Sequence, residues 1–88
     1  MLVFFKVGRF YEFYDAQAAI GCLVFGLKPV PGLRGFRLGC GFHFSRLGKY
    51  LGLAVEYGFH VALLREYTME DGRIGRHLVR FIAGCGNT

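Results

Sequence analysis

Residues 4–19 read FFKVGRFYEFYDAQAA, and this stretch holds the start of three elements. Leu2 to Val7 is apolar and aromatic and stops at Gly8, as a buried strand does. Phe10 to Tyr14 follows after only Gly8 and Arg9. It sets Phe10, Glu12 and Tyr14 against Tyr11 and Phe13, which is the alternation of a second strand, with a turn or bulge at Gly8-Arg9. Asp15 is a good N-cap, and Ala16 to Leu23 has high helix propensity with no breaker before Gly21.

Outward from here, Val24 to Leu27 reads as a short strand. Residues 28–35, KPVPGLRG, hold both prolines and two glycines and read as a loop. Phe36 to Cys40 reads as a strand leading to Gly41. Phe44, Leu47, Leu51, Ala54 and Val55 recur near the helical period, so a helix is predicted over Phe44 to Tyr57 with Gly58 as its C-cap. Phe59 to Leu64 is a strand, Met69 to Gly72 a polar turn, and Arg76 to Ile82 a last strand ending at the GCGN tail. Strands interleaved with helices predict an α/β domain: a mixed sheet of about five to six strands with two main helices. At 88 residues the chain is one domain, residues 1–88, without internal repeats.

Hydrophobic residues make up 53% of the chain, enough for a real core, and the 14 glycines argue for many tight connections. Lys and Arg number 11 against 6 Asp and Glu, a net charge of +5. That balance permits nucleic acid or an acidic membrane surface as partner and identifies neither; a domain that merely happens to be basic fits as well. Cys22, Cys40 and Cys85 are odd in number and widely spaced, without a CxxC pair. A zinc site or a disulfide framework is not expected, and the cysteines read as reduced, buried, small apolar residues in a reducing compartment. No apolar run approaches a membrane span, and MLVFFKVGR lacks the basic start of a signal peptide.

FFKVGRFYEFYDAQAA resembles the opening of MutS domain I, where an aromatic strand leads into Gly-x-Phe-Tyr-Glu, an acidic residue and a helix. GCGFHFSRLGKYLGLAVEYGFHVALLRE is similar to the family's Gly-x-x-x-His stretch, second helix, Gly and strand ending in Glu. HLVRFIAGCGNT resembles its terminal strand. The likeness runs through nearly the whole chain in order. Two departures stand out. The loop between Leu27 and Phe36 is shorter than in the common bacterial form, and its GLKPVPGLR wording is similar to MutS homologues of plant organelles and to related bacterial proteins with a nuclease domain. The tail GCGNT lacks the family's usual Pro.

The resemblance implies that Phe10 is an aromatic wedge and Glu12 its partner in a Phe-x-Glu pair. A mismatched pair stacks poorly, so a ring entering from the minor groove can stack on a mispaired base and kink the duplex. Stacking contributes about 1–3 kcal/mol per base, whereas bending a site costs on the order of 1–6 kcal/mol. Discrimination then comes from how easily the mismatch kinks. Glu12 would accept or share a hydrogen bond with the displaced base, with Lys6 and Arg9 supplying the positive field. Alternation puts Phe10 and Glu12 on one side of the strand and Tyr11 on the other. Arg34, Arg37, Arg46 and Lys49 are candidates for a phosphate-facing surface, though for each taken singly ordinary solvated charge is the favoured reading. Phe10 has the alternative of a core aromatic, and Glu12 that of a solvated strand residue or a partner for a nearby Arg. His43 suits a capping or core-edge position. Arg73, Arg76 and Arg80 read as surface charge or contacts to a neighbouring domain.

No Gly-x-x-x-x-Gly-Lys-Ser/Thr run is present, so ATP binding of the MutS ATPase kind is not expected here, and no nucleophile-base-acid set has convincing spacing; no catalytic residue, metal or cofactor is expected in this chain. ATP and Mg are expected only in other domains of a full-length MutS protein. Glu12, Asp15 and Glu56 are the acids from which a nuclease site would have to be built, and nothing in the sequence brings them together. The expected partner is duplex DNA with a mismatch or distortion, with other MutS domains or a second subunit beside it and no membrane. The expected location is cytoplasmic at the nucleoid, or organellar. The competing reading is a structural or protein-interaction domain that kept the fold without mismatch reading. Phe36, Phe42 and Phe59 would mark its partner surface if exposed.

Overall fold

A computed structural model describes residues 1–84. In chain order these form β1 (Leu2–Val7), β2 (Phe10–Tyr14), α1 (Ala16–Phe25), β3 (Val30–Pro31), β4 (Leu38–His43), α2 (Leu47–Glu56), β5 (Val61–Thr68) and β6 (Ile74–Ile82). The strands make one six-stranded sheet in the order β3-β4-β2-β1-β5-β6. β1 runs parallel to β5, and the other neighbours are antiparallel. The fold is the expected mixed α/β sheet with two helices.

Alternation within β1, β2 and β4 sends Leu2, Phe4, Tyr11, Phe13, Cys40 and Phe42 to one face, where both helices pack through Ala18, Phe25, Tyr50 and Ala54. Phe4 is fully buried at the centre. It meets Tyr11, Phe13, Phe25 and Phe42 edge-on, with ring centroids 5.0–6.2 Å apart, the geometry that the aromatic quadrupole favours. The opposite face carries Val3, Phe5, Phe10, Glu12 and Tyr14.

Several boundaries differ from the sequence expectation. Val24 and Phe25 form the last turn of α1 rather than a strand. Ala18, Gly21 and Phe25 share one helical stripe on the core, and that burial outweighs the β preference of a Val-Phe pair. The missing strand lies instead inside the expected loop, at Val30–Pro31 on the sheet edge, where a proline needs no ladder partner. The strand predicted over Phe36 to Cys40 is β4, shifted to Leu38–His43. The second helix begins later than its apolar period suggests. Phe44–Arg46 is a 3-10 turn, and Phe44 is exposed beneath the Lys6 ammonium, 5.4 Å from the ring centroid.

Asp15 occupies the N-cap position of α1, but its side chain does not cap the helix. Its N–H donates to the Leu38 carbonyl at 2.8 Å and its Oδ1 accepts the Leu38 N–H at 3.3 Å, so it ties the helix start to β4. α2 ends as expected at Gly58, with the Gly58 N–H on the Val55 carbonyl at 3.0 Å and the Phe59 N–H on Ala54 at 2.9 Å, a Schellman closure. β5 and β6 run further than predicted, to Thr68 and from Ile74, around a turn closed by the Met69 N–H on the Arg73 carbonyl at 2.7 Å. Cys22 and Cys40 are free thiols, Cys40 buried as expected and Cys22 only partly so. Cys85 and the end of the GCGNT tail lie outside the described residues. No helix among the described residues is long and apolar enough to cross a membrane.

Candidate functional site

The site is built on the β1–β2 hairpin. Val7 pairs with Phe10, leaving a two-residue loop. Gly8 takes φ 61 at its first position, a place that the hairpin turn reserves for glycine. The Arg9 carbonyl accepts the Phe44 N–H at 2.8 Å, which ties the turn to the chain leaving β4. Phe10 is thus the first residue of β2, beyond the helical layer. It is 49% exposed, while Tyr11, Glu12 and Phe13 after it are buried. Its ring stands edge-on to the His43 ring, 5.6 Å between centroids. His43 Nδ1 accepts the Ser45 N–H at 3.3 Å, so this residue caps the 3-10 turn, one of the two roles its sequence position suits.

Glu12 lies on the same face as Phe10, two positions along β2, as alternation requires. Phe10 is opposite His43 and Glu12 opposite Gly41. Yet Glu12 is only 5% exposed. The Tyr14 hydroxyl donates to its Oε1 at 2.7 Å. Arg34 donates through Nε to Oε1 at 2.9 Å and through Nη2 to Oε2 at 3.1 Å, a bidentate, charge-assisted fork. Burial first, and then the Glu12 carboxylate, pushes the Tyr14 phenol up to about 12. The Glu12 contact likewise raises Arg34 above the usual guanidinium range.

Arg34 reaches Glu12 because the segment after α1 folds back over the sheet. Leu33 lies directly on Gly39, where a Cβ would sit 2.5 Å from that of Leu33. At Gly41 a Cβ would meet the Tyr11 carbonyl at 2.7 Å and the Glu12 Cγ at 3.4 Å. Two glycines on one face of β4 leave a bare floor for this segment. Phe10, Glu12, Val30, Leu33, Arg34 and Gly41 line a hollow of about 340 Å³. Phe36 closes the neighbouring side by stacking on Tyr14 at 4.3 Å.

The other sequence candidates spread out. Lys6 is opposite Tyr11, so it lies on the helix face, away from Glu12. The charge beside Glu12 comes from Arg34, which the sequence offered as a phosphate-facing candidate and not as the partner of Glu12. Arg9 is exposed in the hairpin turn, and Arg37, Arg46 and Lys49 are exposed around the start of β4 and of α2. Arg76 stacks over the Phe5 ring at 4.7 Å. Of the three phenylalanines considered as a partner surface, Phe36 is exposed, Phe42 is buried and Phe59 packs against the core. Among the described residues, no three His, Cys, Asp or Glu side chains group as metal ligands.

Sequence reading passed over Tyr14, Leu33 and the Gly39/Gly41 pair. The alternation of Tyr14 with Glu12 was the available signal for the first, and the Gly-x-Gly spacing on one strand face for the last.

Over residues 1–86 the chain matches the family model of MutS domain I. No curated protein matches it.

Proposed function

From the premise that the chain belongs to the MutS domain I family, a mismatch-recognition module, we propose that it reads mismatched or distorted duplex DNA by pressing the Phe10 ring between stacked bases, with Glu12 accepting a hydrogen bond from the displaced base. The observation that carries this reading is the exposure of Phe10. An aromatic ring that is 49% open, at the tip of a strand whose next three residues are buried, leaves much of its apolar surface without a partner in the fold. A wedge needs that exposed ring and a rigid mount. Arg9, exposed in the adjoining turn, supports the reading by offering a cation next to Phe10 in the chain. Catalysis has no part in it, and ATP and Mg²⁺ belong to other domains of a full-length MutS protein. The chain works where the DNA is, at the nucleoid or in an organelle.

One small domain meets few phosphates, so its affinity alone is weak and falls steeply with salt. The test is titration of matched and G·T-containing duplexes at low salt with the wild-type chain and Phe10→Ala. Preferential binding of the G·T duplex, reduced about tenfold or more by Phe10→Ala, is expected from the loss of one stacking contact. Equal binding of both duplexes, indifferent to Phe10→Ala, overturns the reading.

A second reading, a protein-interaction domain that no longer reads mismatches, is favoured by one observation. Leu78 and Phe81 are more than half exposed and share the Phe10 face of the sheet through their pairing with Leu64 and Ala62. Equal duplex binding together with an unchanged fold in Phe10→Ala is the outcome that selects it.

A further inference from the structure

A carboxylate offers about four acceptor directions. At Glu12 three are occupied, two on Oε1 by Tyr14 and Arg34 and one on Oε2 by the second Arg34 nitrogen. What stays open is one direction on Oε2, and Glu12 is among the residues that line the hollow with Phe10. Arg34 holds this arrangement from an unusual place. It is 22 residues from Glu12 in sequence and takes φ 53, a left-handed conformation that side-chain-bearing residues normally avoid. Leu33 anchors the segment on Gly39. The guanidinium, about half exposed, has two of its nitrogens forked onto the buried carboxylate.

We propose that Arg34 is a positioning residue for Glu12: it turns the carboxylate so that a single acceptor direction faces the base beside Phe10, and it offsets the carboxylate's charge near the DNA backbone. The inference rests on the mismatch-reading function above. Arg34 and Tyr14 both approach Glu12 as donors, so the remaining direction recognises a base edge that presents an N–H, imino or amino, and discriminates against an edge that presents only a lone pair. Arg34 therefore governs which mispairs are read and makes no phosphate contact of its own.

The experiment is a double-mutant cycle on DNA binding. Arg34→Gly removes the fork while suiting the positive φ, and Arg34→Lys keeps a cation without the bidentate geometry. Each is measured alone and with Glu12→Gln, on matched and G·T duplexes, across a salt series, after thermal melts show the variants folded. Both Arg34 variants are expected to lower the G·T-to-matched affinity ratio about tenfold, a coupling typical of contacting residues. The salt slope stays unchanged, and neither variant adds a loss once Glu12 is Gln. The inference is overturned if Arg34→Gly weakens both duplexes equally, in both backgrounds, with the slope smaller by about 0.9, the signature of one lost phosphate contact, and if Arg34→Lys restores it. Failure of the parent reading looks different. It is seen in the wild type and Phe10→Ala, before any Arg34 variant is measured, as equal binding of the two duplexes, and it takes this inference with it.

Discussion

The Phe10 and His43 rings meet at 90°, edge to face, across the β2–β4 pair. The contact fixes one side of the exposed ring and leaves the other to solvent. His43 is in turn held by Ser45, whose hydroxyl lies 2.8 Å from Nδ1. His43→Ala removes both the aromatic pair and the cap. It is expected to cost about 1–2 kcal/mol in urea melts and to lower G·T discrimination by less than Phe10→Ala does. A His43→Ala chain as stable as the wild type contradicts the bracing role.

Phe10 and Phe4 have opposite surroundings, and their alanine variants should separate accordingly. Phe4 is fully buried among four aromatic rings, so Phe4→Ala leaves a cavity and costs about 3–5 kcal/mol. That is a large part of the stability of a domain this small. Phe10→Ala gives up only half-buried area and is expected to cost about 1 kcal/mol or less. Comparable losses in paired denaturation curves rule out the view of Phe10 as a ring held outside the core.

Gly41 and Gly8 are both required, for different reasons. At Gly8 nothing lies within 4 Å of an added Cβ, and only φ 61 opposes it. Gly8→Ala is expected to cost about 1 kcal/mol. At Gly41 the added carbon lands 2.7 Å from the Tyr11 carbonyl. Backbone cannot give way as a flexible side chain can, and Gly41→Ala is expected to cost about 1–3 kcal/mol. It should also weaken the Arg34–Glu12 contact, seen as loss of slow exchange at the Arg34 Nε–H by NMR. An undisturbed Nε–H signal in Gly41→Ala argues against the tight floor.

Alkaline pH should destabilise the fold in a defined window. Burial, with the Cys22 thiol adding to it, pushes the Cys40 thiol from 9.0 up to about 12. Burial and then Glu12 push the Tyr14 phenol from 10.0 to about 12. Both pKa values are raised on folding, so the folded protein keeps protons that the unfolded chain has released. Their contribution to stability is complete below pH 9 for Cys40 and below pH 10 for Tyr14, and it is lost as pH rises through about 12. Urea midpoints should therefore drop above pH 9, and the drop should be shallower in Tyr14→Phe and shallower still with Cys40→Ala added. An unchanged slope in the double variant sinks the assignment.

The fold was legible where one periodicity ran without interruption. β1 follows from an apolar run that stops at Gly8, β2 from alternation, and the body of α2 from a helical stripe closed by Gly58. Legibility failed where tertiary contact decided. Val24 and Phe25 have strand-like side chains, but Phe25 is drawn into the Phe4 and Tyr50 cluster as the end of a helix. Phe44 fits the α2 period and yet stays outside it under Lys6. For the site, alternation correctly put Phe10 and Glu12 on one face. It could not show that Glu12 is covered, because the covering arginine arrives across 22 residues of chain from a segment that reads locally as no more than a loop.

β2 has a neighbour along both edges, β1 on one side and β4 on the other, and this has a mechanical consequence. A ring at the tip of an edge strand could swing aside under load. A ring at the tip of an interior strand, braced by His43 and by the Arg9–Phe44 bond, passes any force on it straight into the sheet. In the proposed encounter with DNA, the compliance would then belong to the duplex. On the proposed function the protein is a fixed anvil, and what it would measure at each base step is how readily the nucleic acid yields.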